Sequence, residues 1–270
     1  MSNFNGKAIY NPKGKAGEYS EWACNFYTGC SNDCEYCYCK KGFMGRLWST
    51  TPQLKKCFKD ETHALNVFVA EMEQNLAELR ARGLFFTFTS DPMLPETRRL
   101  TWAAVIQAVC AGVPVQILTK RADFLRDEYL ALDQLQPEAI SKIAFGFTLT
   151  GCNDSEPHAS TNEERVATME ELHNRGFKTF ASIEPIIELG HSLACVLTTL
   201  GICDLYKIGL LSGKKDYDMD VFNQFVQVVT DGARDTGAKV YWKESVRSLP
   251  GLSGLDSDVA VNRDYNIFKE

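Results

Sequence analysis

RGLFFTFTSDPMLPE, residues 82 to 96, decides the fold. A helical pattern from Thr62 to Arg82 meets a stop signal at Gly83, and the apolar and β-branched run LFFTFT at 84 to 89 then reads as a strand. The same unit recurs down the chain. Helix Glu96 to Ala111 stops at Gly112 before strand PVQILT (114–119), helix Ala122 to Leu135 precedes KIAFGFTLT (142–150), and helix Asn162 to Arg175 stops at Gly176 before FKTFASI (177–183). Helix Ser192 to Leu200 precedes CDLYKIGLL (203–211), and helix Asp218 to Asp235, stopped by Gly237, precedes KVYWK (239–243). Upstream, WACNFYT (22–28) reads as a short first strand. Strands alternating with helices build a parallel sheet, and this number of units predicts an α/β fold, a partial (β/α)6 TIM-like barrel of mostly parallel strands. Residues 1–20 are expected to be an irregular lead-in, 21–245 the barrel, and 246–270, rich in Gly, Ser and Asp, an irregular tail.

Right-handed crossovers bring the C-terminal ends of all the strands to one face, and in barrels that face carries the active site. CSNDCEYC, TSDPMLPE, TKR, TGC, EP and SG are therefore expected to crowd one rim. At 270 residues and 44% hydrophobic, the chain is long enough for one large core. With 29 basic against 35 acidic residues and no Lys/Arg run longer than two, it offers no global positive field, so nucleic acid is not the default partner. The N-terminal twenty residues lack the apolar region of a signal peptide, and no later apolar stretch approaches the about 20 residues of a membrane span. A cytoplasmic location with no membrane partner is expected. Ten cysteines in such a chain point to metal or redox chemistry rather than to disulfides.

CSNDCEYC, residues 30 to 37, sets three thiols in a CxxxCxxC array. Zinc usually closes with four ligands, and a [4Fe–4S] cluster is normally held by four cysteines. Three thiolates leave one iron open, able to chelate an amino and a carboxylate group together. A zinc knuckle completed by Cys39 or Cys24 is the competing reading of the spacing. With Tyr36 as the aromatic, Cys30, Cys34 and Cys37 fit the pattern CxxxCxφC, and here the chain resembles the radical SAM superfamily. The likeness spans most of residues 20–190. NFYTGCSNDCEYCY (25–38) is similar to the NPYxGCxHxCxYCY segment of the spore photoproduct lyase-like branch, with Phe26 where that branch has proline. SDPMLPE (90–96) resembles its TDPYQPxE segment, TKR (119–121) its TKS, and residues 163–185 its Arg-bearing helix and following strand.

The resemblance implies a [4Fe–4S] cluster on Cys30, Cys34 and Cys37, with S-adenosylmethionine (SAM) on the open iron. An external one-electron donor would drive SAM cleavage to a 5′-deoxyadenosyl radical, which abstracts hydrogen from an unidentified substrate. It places the backbone around Tyr36 against the adenine. Ser90 and Asp91 would meet the SAM ammonium, although Asp91 before Pro92 also reads as a plain turn. Lys120 is matched to the SAM carboxylate, or is a solvated lysine at a helix start. Arg165, with Met169 and Thr161 rather than Glu at i±4, is matched to a bidentate clasp on that carboxylate. Thr148, Ser182 and Glu184 stand at strand ends suited to ribose, with Glu184 equally a substrate contact. Cys152 and Cys57 are each candidates for returning a hydrogen atom to a substrate radical. Cys110, Cys195 and Cys203 read as core fillers and the four histidines as surface residues. Lys214, Lys215 and KVYWKESVR (239–247) read as an anion-binding edge or a solvated one.

A nucleic acid base, a peptide side chain and a small metabolite all stay open as substrate. The alternative function is a zinc-stabilised, non-enzymatic binding module. Anaerobic reconstitution with iron and sulfide is expected to give a brown protein with about four irons per chain, and Cys34→Ala to bleach it. A colourless protein holding stoichiometric zinc would end the cluster reading.

Overall fold

Alternate residues of a strand face opposite sides of its sheet, and here that alternation builds two cores. The computed structural model describes residues 3–42, 44–46, 48–214 and 216–269. In chain order the elements are β1 (Ile9–Tyr10), β2 (Ala23–Cys24), β3 (Tyr27–Thr28), β4 (Gln53–Leu54), α1 (Glu61–Gln74), α2 (Leu76–Arg82), β5 (Leu84–Phe86), α3 (Arg98–Cys110) and β6 (Val115–Thr119). There follow α4 (Pro137–Ile140), β7 (Ile143–Thr148), α5 (Asn162–Asn174), β8 (Lys178–Ile186), α6 (Leu189–Thr199), β9 (Leu205–Leu210), α7 (Met219–Thr236), β10 (Lys239–Trp242) and α8 (Glu244–Arg247). Eight strands make one sheet in the order β1-β2-β5-β6-β7-β8-β9-β10, parallel throughout except where β1 meets β2. The fold is the α/β partial barrel of mostly parallel strands that the alternation predicts. Among the described residues no helix is long and apolar enough to cross a membrane.

The inner face carries Ala23, Phe85, Ala144, Phe180, Leu205 and Tyr241, closed from below by Ile267 of the C-terminal segment. The outer face carries Phe86, Ile117, Phe145, Ile183, Ile208 and Val240, which pack under the helices in the larger core. Gly146 is paired in register with Phe180, whose ring occupies the space that a Cβ at 146 would take.

Several predicted elements come out differently. WACNFYT is not one strand: β2 joins the main sheet, while β3 pairs antiparallel with β4 in a separate ribbon. The turn between them is Asn25, which accepts from the Phe88 N–H at 2.7 Å and donates to the Tyr10 hydroxyl at 2.7 Å. LFFTFT pairs only through Phe86; Thr87 and Thr89 instead donate to the carbonyls of Ser90 and Tyr27. The helix expected over 122–135 is a series of 3₁₀ turns, because Asp127 caps the Tyr129 N–H, Ala131 takes a left-handed φ of 44°, and Arg98 pins both Asp123 and Asp127. The lead-in is not wholly irregular, since Glu71 accepts the N–H groups of Lys7, Ala8 and Ile9 and holds β1 at the sheet edge.

Gly146→Ala is expected to cost about 1–3 kcal/mol by overpacking the inner core against Phe180, read as a lower urea midpoint with an unchanged m-value. An unshifted midpoint would mean that the ring does not lie on residue 146.

Candidate active site

The cysteine loop leaves β3 through Gly29, whose φ of +88° and whose approach to the backbone exclude a side chain. A Cβ there would stand 2.6 Å from the Ser49 carbonyl oxygen and 3.0 Å from that of Thr51. The chain segment around 49–51 therefore closes over the loop, with the Cys30 N–H donating to Ser49 at 3.0 Å. Cys30, Cys34 and Cys37 all line one cavity of about 430 Å³ at the C-terminal ends of the strands. Tyr36, Ser90, Asp91, Lys120, Thr148, Ser182 and Glu184 line it too, so ten of the thirteen candidate residues meet in one place.

Two buried carboxylates hold the loop. Asp91 accepts from four donors: Asn32 Nδ2 at 2.8 Å, the Lys120 N–H at 2.8 Å, the Met93 N–H at 2.9 Å and Thr119 Oγ1 at 2.6 Å. Its oxygens are engaged by the chain itself, which suits a positioning role; an ammonium contact would have to share them. Glu156, fully buried, accepts from the Tyr36 hydroxyl on one oxygen and pairs with Arg165 on the other. Arg165 is itself fully buried and also donates to the carbonyls of Ser160 at 2.8 Å and Thr148 at 2.5 Å. This corrects the expectation for Arg165. Its partner lies nine residues back in a loop, and the guanidinium is spent inside the fold and does not line the cavity.

The thiols differ in their electrostatics. Burial pushes Cys30 up to about 12, with the Asp91 charge adding to it, and burial also raises Cys34. Interaction with the neighbouring Cys39 thiol lowers Cys37 to about 6 against the effect of burial. Burial pulls Lys120 down, but the charges of Cys34 and Glu156 outweigh it and leave the amine raised; it stands 5.5 Å from the centre of the Tyr36 ring. The Ser90 hydroxyl is buried without a hydrogen-bond partner.

The opposite end of the cavity is built by the lead-in and β8 to β10. The Tyr19 hydroxyl lies 2.6 Å from Ser182 Oγ and donates to Glu184 Oε2 at 2.7 Å, and the buried Lys243 ammonium meets the same carboxylate at 2.5 Å. Glu18 stands 3.5 Å from Lys243 on its other side. Gly209 makes room for Glu184, since a Cβ there would come within 2.7 Å of Oε1. Behind Tyr19, burial reinforced by the Lys243 charge lowers Lys207 to about 7.

No family model matches this chain. An uncharacterized protein of Methanocaldococcus jannaschii is 26% identical over 179 residues, which are 62% of this chain and 61% of that protein. Among solved structures, Streptococcus suis SuiB is similar with a TM-score of 0.47 at 12% identity, over 79% of this chain and 46% of SuiB. SuiB bound to S-adenosylmethionine gives 0.46 at 12% identity over 79% and 48%, and SuiB bound to precursor peptide SuiA gives 0.42 at 12% identity over 64% and 40%. The chain spans 61% of the archaeal relative and under half of SuiB.

Two thiols considered for hydrogen return stand elsewhere. Cys57 is exposed beyond β4, carried there by the β3–β4 ribbon, and does not line the cavity. Cys152 is also outside the lining; Gly151, with a φ of +69°, turns the chain away at the end of β7, and the Cys152 sulfur lies 3.3 Å from Nδ1 of the exposed His191. Cys195 and Cys203 are buried as expected, whereas Cys110 is exposed at the last turn of α3. Lys214 donates to the Ile187 carbonyl at 2.8 Å, and Lys215 lies outside the described residues. Sequence reasoning missed Asn32, Glu156 and Tyr19, and met Lys243 only as part of a basic stretch. A single Glu in a polar loop and a Tyr in a lead-in carry no periodic or motif signal; their partners lie 120 and 163 positions away.

Arg165→Met, which strands Glu156, is expected to destabilise the fold by about 3–5 kcal/mol in chemical denaturation. Arg165→Met/Glu156→Gln should recover part of that loss; a double variant no more stable than the single one would show that the pair is not the cause.

Proposed function

We propose that this chain is a radical SAM enzyme, in which Cys30, Cys34 and Cys37 would hold a [4Fe–4S] cluster, SAM would share the cavity, and the pair would supply hydrogen abstraction from a substrate at its far end. The observation that carries the reading is the meeting of Cys30, Cys34 and Cys37, from one loop, with Ser90 and Lys120 around a single cavity. The donor set suits iron, since thiolates are its usual ligands in such clusters, and the Cys37 thiol is shifted downward by its Cys39 neighbour. The orphaned Ser90 hydroxyl and the Lys120 amine supply what a zwitterionic amino acid needs, a neutral partner and a cation.

When bound, the cluster and SAM would supply one-electron cleavage to a 5′-deoxyadenosyl radical, given an external electron donor. The chain's own residues bind and orient. Lys120 takes the SAM carboxylate, Thr148 and Ser182 the ribose, and the backbone at Tyr36 the adenine. Asp91 and Glu156 fix the loop that presents the thiols, by the hydrogen bonds already described. Glu184, held by Tyr19 and Lys243, faces the substrate. Arg165 steadies the loop from within the fold.

The zinc-held module remains the second reading, because Cys39 lines the same cavity while Cys24 does not. Zinc needs its donors about 2.3 Å from one point, whereas a cluster sets each thiolate on its own iron. Among the described residues no group of three or more His, Cys, Asp or Glu side chains is arranged to hold a metal ion, which bears equally on zinc and on iron.

Reduced, iron-replete protein is expected to convert SAM to 5′-deoxyadenosine, measured by liquid chromatography. Ser90→Ala and Lys120→Met should each weaken SAM binding about tenfold, equivalent to roughly 1–2 kcal/mol, with iron content unchanged. Failure of the iron-replete protein to cleave SAM rejects the proposed activity, and unchanged affinity in both variants rejects these two contacts.

A further inference from the structure

The cavity wall divides along the sheet order. The cysteine loop, Ser90, Asp91 and Lys120 belong to the β2-β5-β6 side, whereas Glu184, Ser212 and Lys243 come from the ends of β8, β9 and β10 on the other. Lys13 and Lys15 of the lead-in line the same cavity. The lead-in is fastened to the β8–β10 side: Lys15 Nζ donates to Ser212 Oγ at 2.9 Å across 197 positions of sequence, the Tyr19 hydroxyl meets Ser182, and Glu18 accepts the Glu244 N–H at 2.8 Å. The Gly17 carbonyl accepts from Arg263 at 2.8 Å, which ties the same turn to the C-terminal segment.

The charges along this wall do not balance. Among the described residues the carboxylates that line the cavity are Asp91, engaged by four donors, and Glu184, engaged by Lys243 and Tyr19. Lys243 is itself shared between Glu184 and Glu18. Glu18, the acid nearest to the two lead-in lysines in sequence, is buried and committed to Lys243, the Tyr241 hydroxyl and the Glu244 N–H. Lys13 and Lys15 are exposed, and among the described residues no carboxylate stands within ion-pair distance of either. Two unmatched ammonium groups and one hydroxyl therefore meet the solvent at this mouth, in a chain whose formal charge is −6.

We infer that the substrate carries a terminal phosphate, held at this mouth by Lys13, Lys15 and Ser212, with its reacting part deeper in the cavity near Glu184. The inference rests on the proposed function, because that reading makes this cavity the place where a substrate reacts. A phosphate monoester brings roughly two negative charges and three acceptor oxygens at neutral pH, which match two ammonium groups and a hydroxyl. A carboxylate brings a single charge and leaves one lysine unmatched. Lysine binds phosphate as a point charge and needs no bidentate geometry. A nucleic acid backbone fits less well, since it runs on past the mouth over a chain with 35 acidic against 29 basic residues.

The test measures binding of inorganic phosphate, acetate and oligothymidylate by calorimetry at about 50 mM salt, on wild type, Lys13→Gln/Lys15→Gln/Ser212→Ala, the charge-keeping Lys13→Arg/Lys15→Arg, and Lys120→Met. Phosphate is expected to bind wild type, to lose about tenfold in affinity with the triple variant, and to keep it within about twofold in the arginine variant and in Lys120→Met. Acetate should bind about tenfold more weakly than phosphate. Wild type that does not bind phosphate, phosphate affinity that ignores the triple substitution, or affinity lost in Lys120→Met instead overturns the site. Acetate bound as tightly as phosphate overturns the assignment to a phosphate. So does oligothymidylate bound more tightly than phosphate and released by the triple substitution, which would give the mouth to a nucleic acid backbone. Cleavage of SAM is assayed on the same iron-replete samples. A chain that binds phosphate here yet leaves SAM intact keeps the anion site and loses the radical reading, while one that cleaves SAM and ignores phosphate keeps that reading and loses this substrate class.

Discussion

A buried carboxylate must find a donor for each oxygen, and the geometry of this cavity follows from how Asp91 and Glu156 meet that demand. Asp91 takes its donors from the cysteine loop through Asn32, from its own turn through Met93, and from the end of β6 through Thr119 and Lys120. Glu156 takes Tyr36 from the same loop and Arg165 from α5. An irregular stretch carrying three thiols is thereby tied at two points to a parallel sheet, and the thiols face inward as a consequence.

The same economy shapes the far end of the cavity. Lys243 and Tyr19 share one oxygen of Glu184, and Gly209 leaves the room that this carboxylate needs. The lead-in is drawn into the site by these contacts, since Tyr19 and Glu18 both belong to it. A cavity of about 430 Å³ runs between the thiols at one end and a held carboxylate at the other.

Legibility in the sequence followed the range of the interaction. Strands and helices driven by apolar periodicity were readable: β6, β7, β9, α5 and α7 fall within a few residues of their predicted spans. Segments governed by side-chain-to-backbone hydrogen bonds were not. The 122–135 segment has helical periodicity, yet Asp127 and Ala131 break it into turns, and Asn25 splits what reads as one strand into two that join different sheets. Among the candidate site residues, those at strand ends were placed by the crossover rule alone, which is why Ser90, Lys120, Thr148, Ser182 and Glu184 reach the cavity. Cys57 and Cys152 lie in loops whose direction the rule does not fix, and Arg165 lies on a helix whose buried face was not separable from its exposed one.

By itself the sequence determined the class of fold, the rim on which polar strand ends gather and the three thiols of CxxxCxxC, because period and spacing are properties of neighbours along the chain. Only the tertiary structure decided which polar groups face the cavity and which are consumed in holding it. Asp91 and Arg165 are equally polar in the sequence; one lines the cavity with its oxygens engaged, and the other is sealed behind the loop. That distinction is set by hydrogen bonds between residues from nine to more than a hundred positions apart, and such pairings exist only once the sheet has brought its strand ends together.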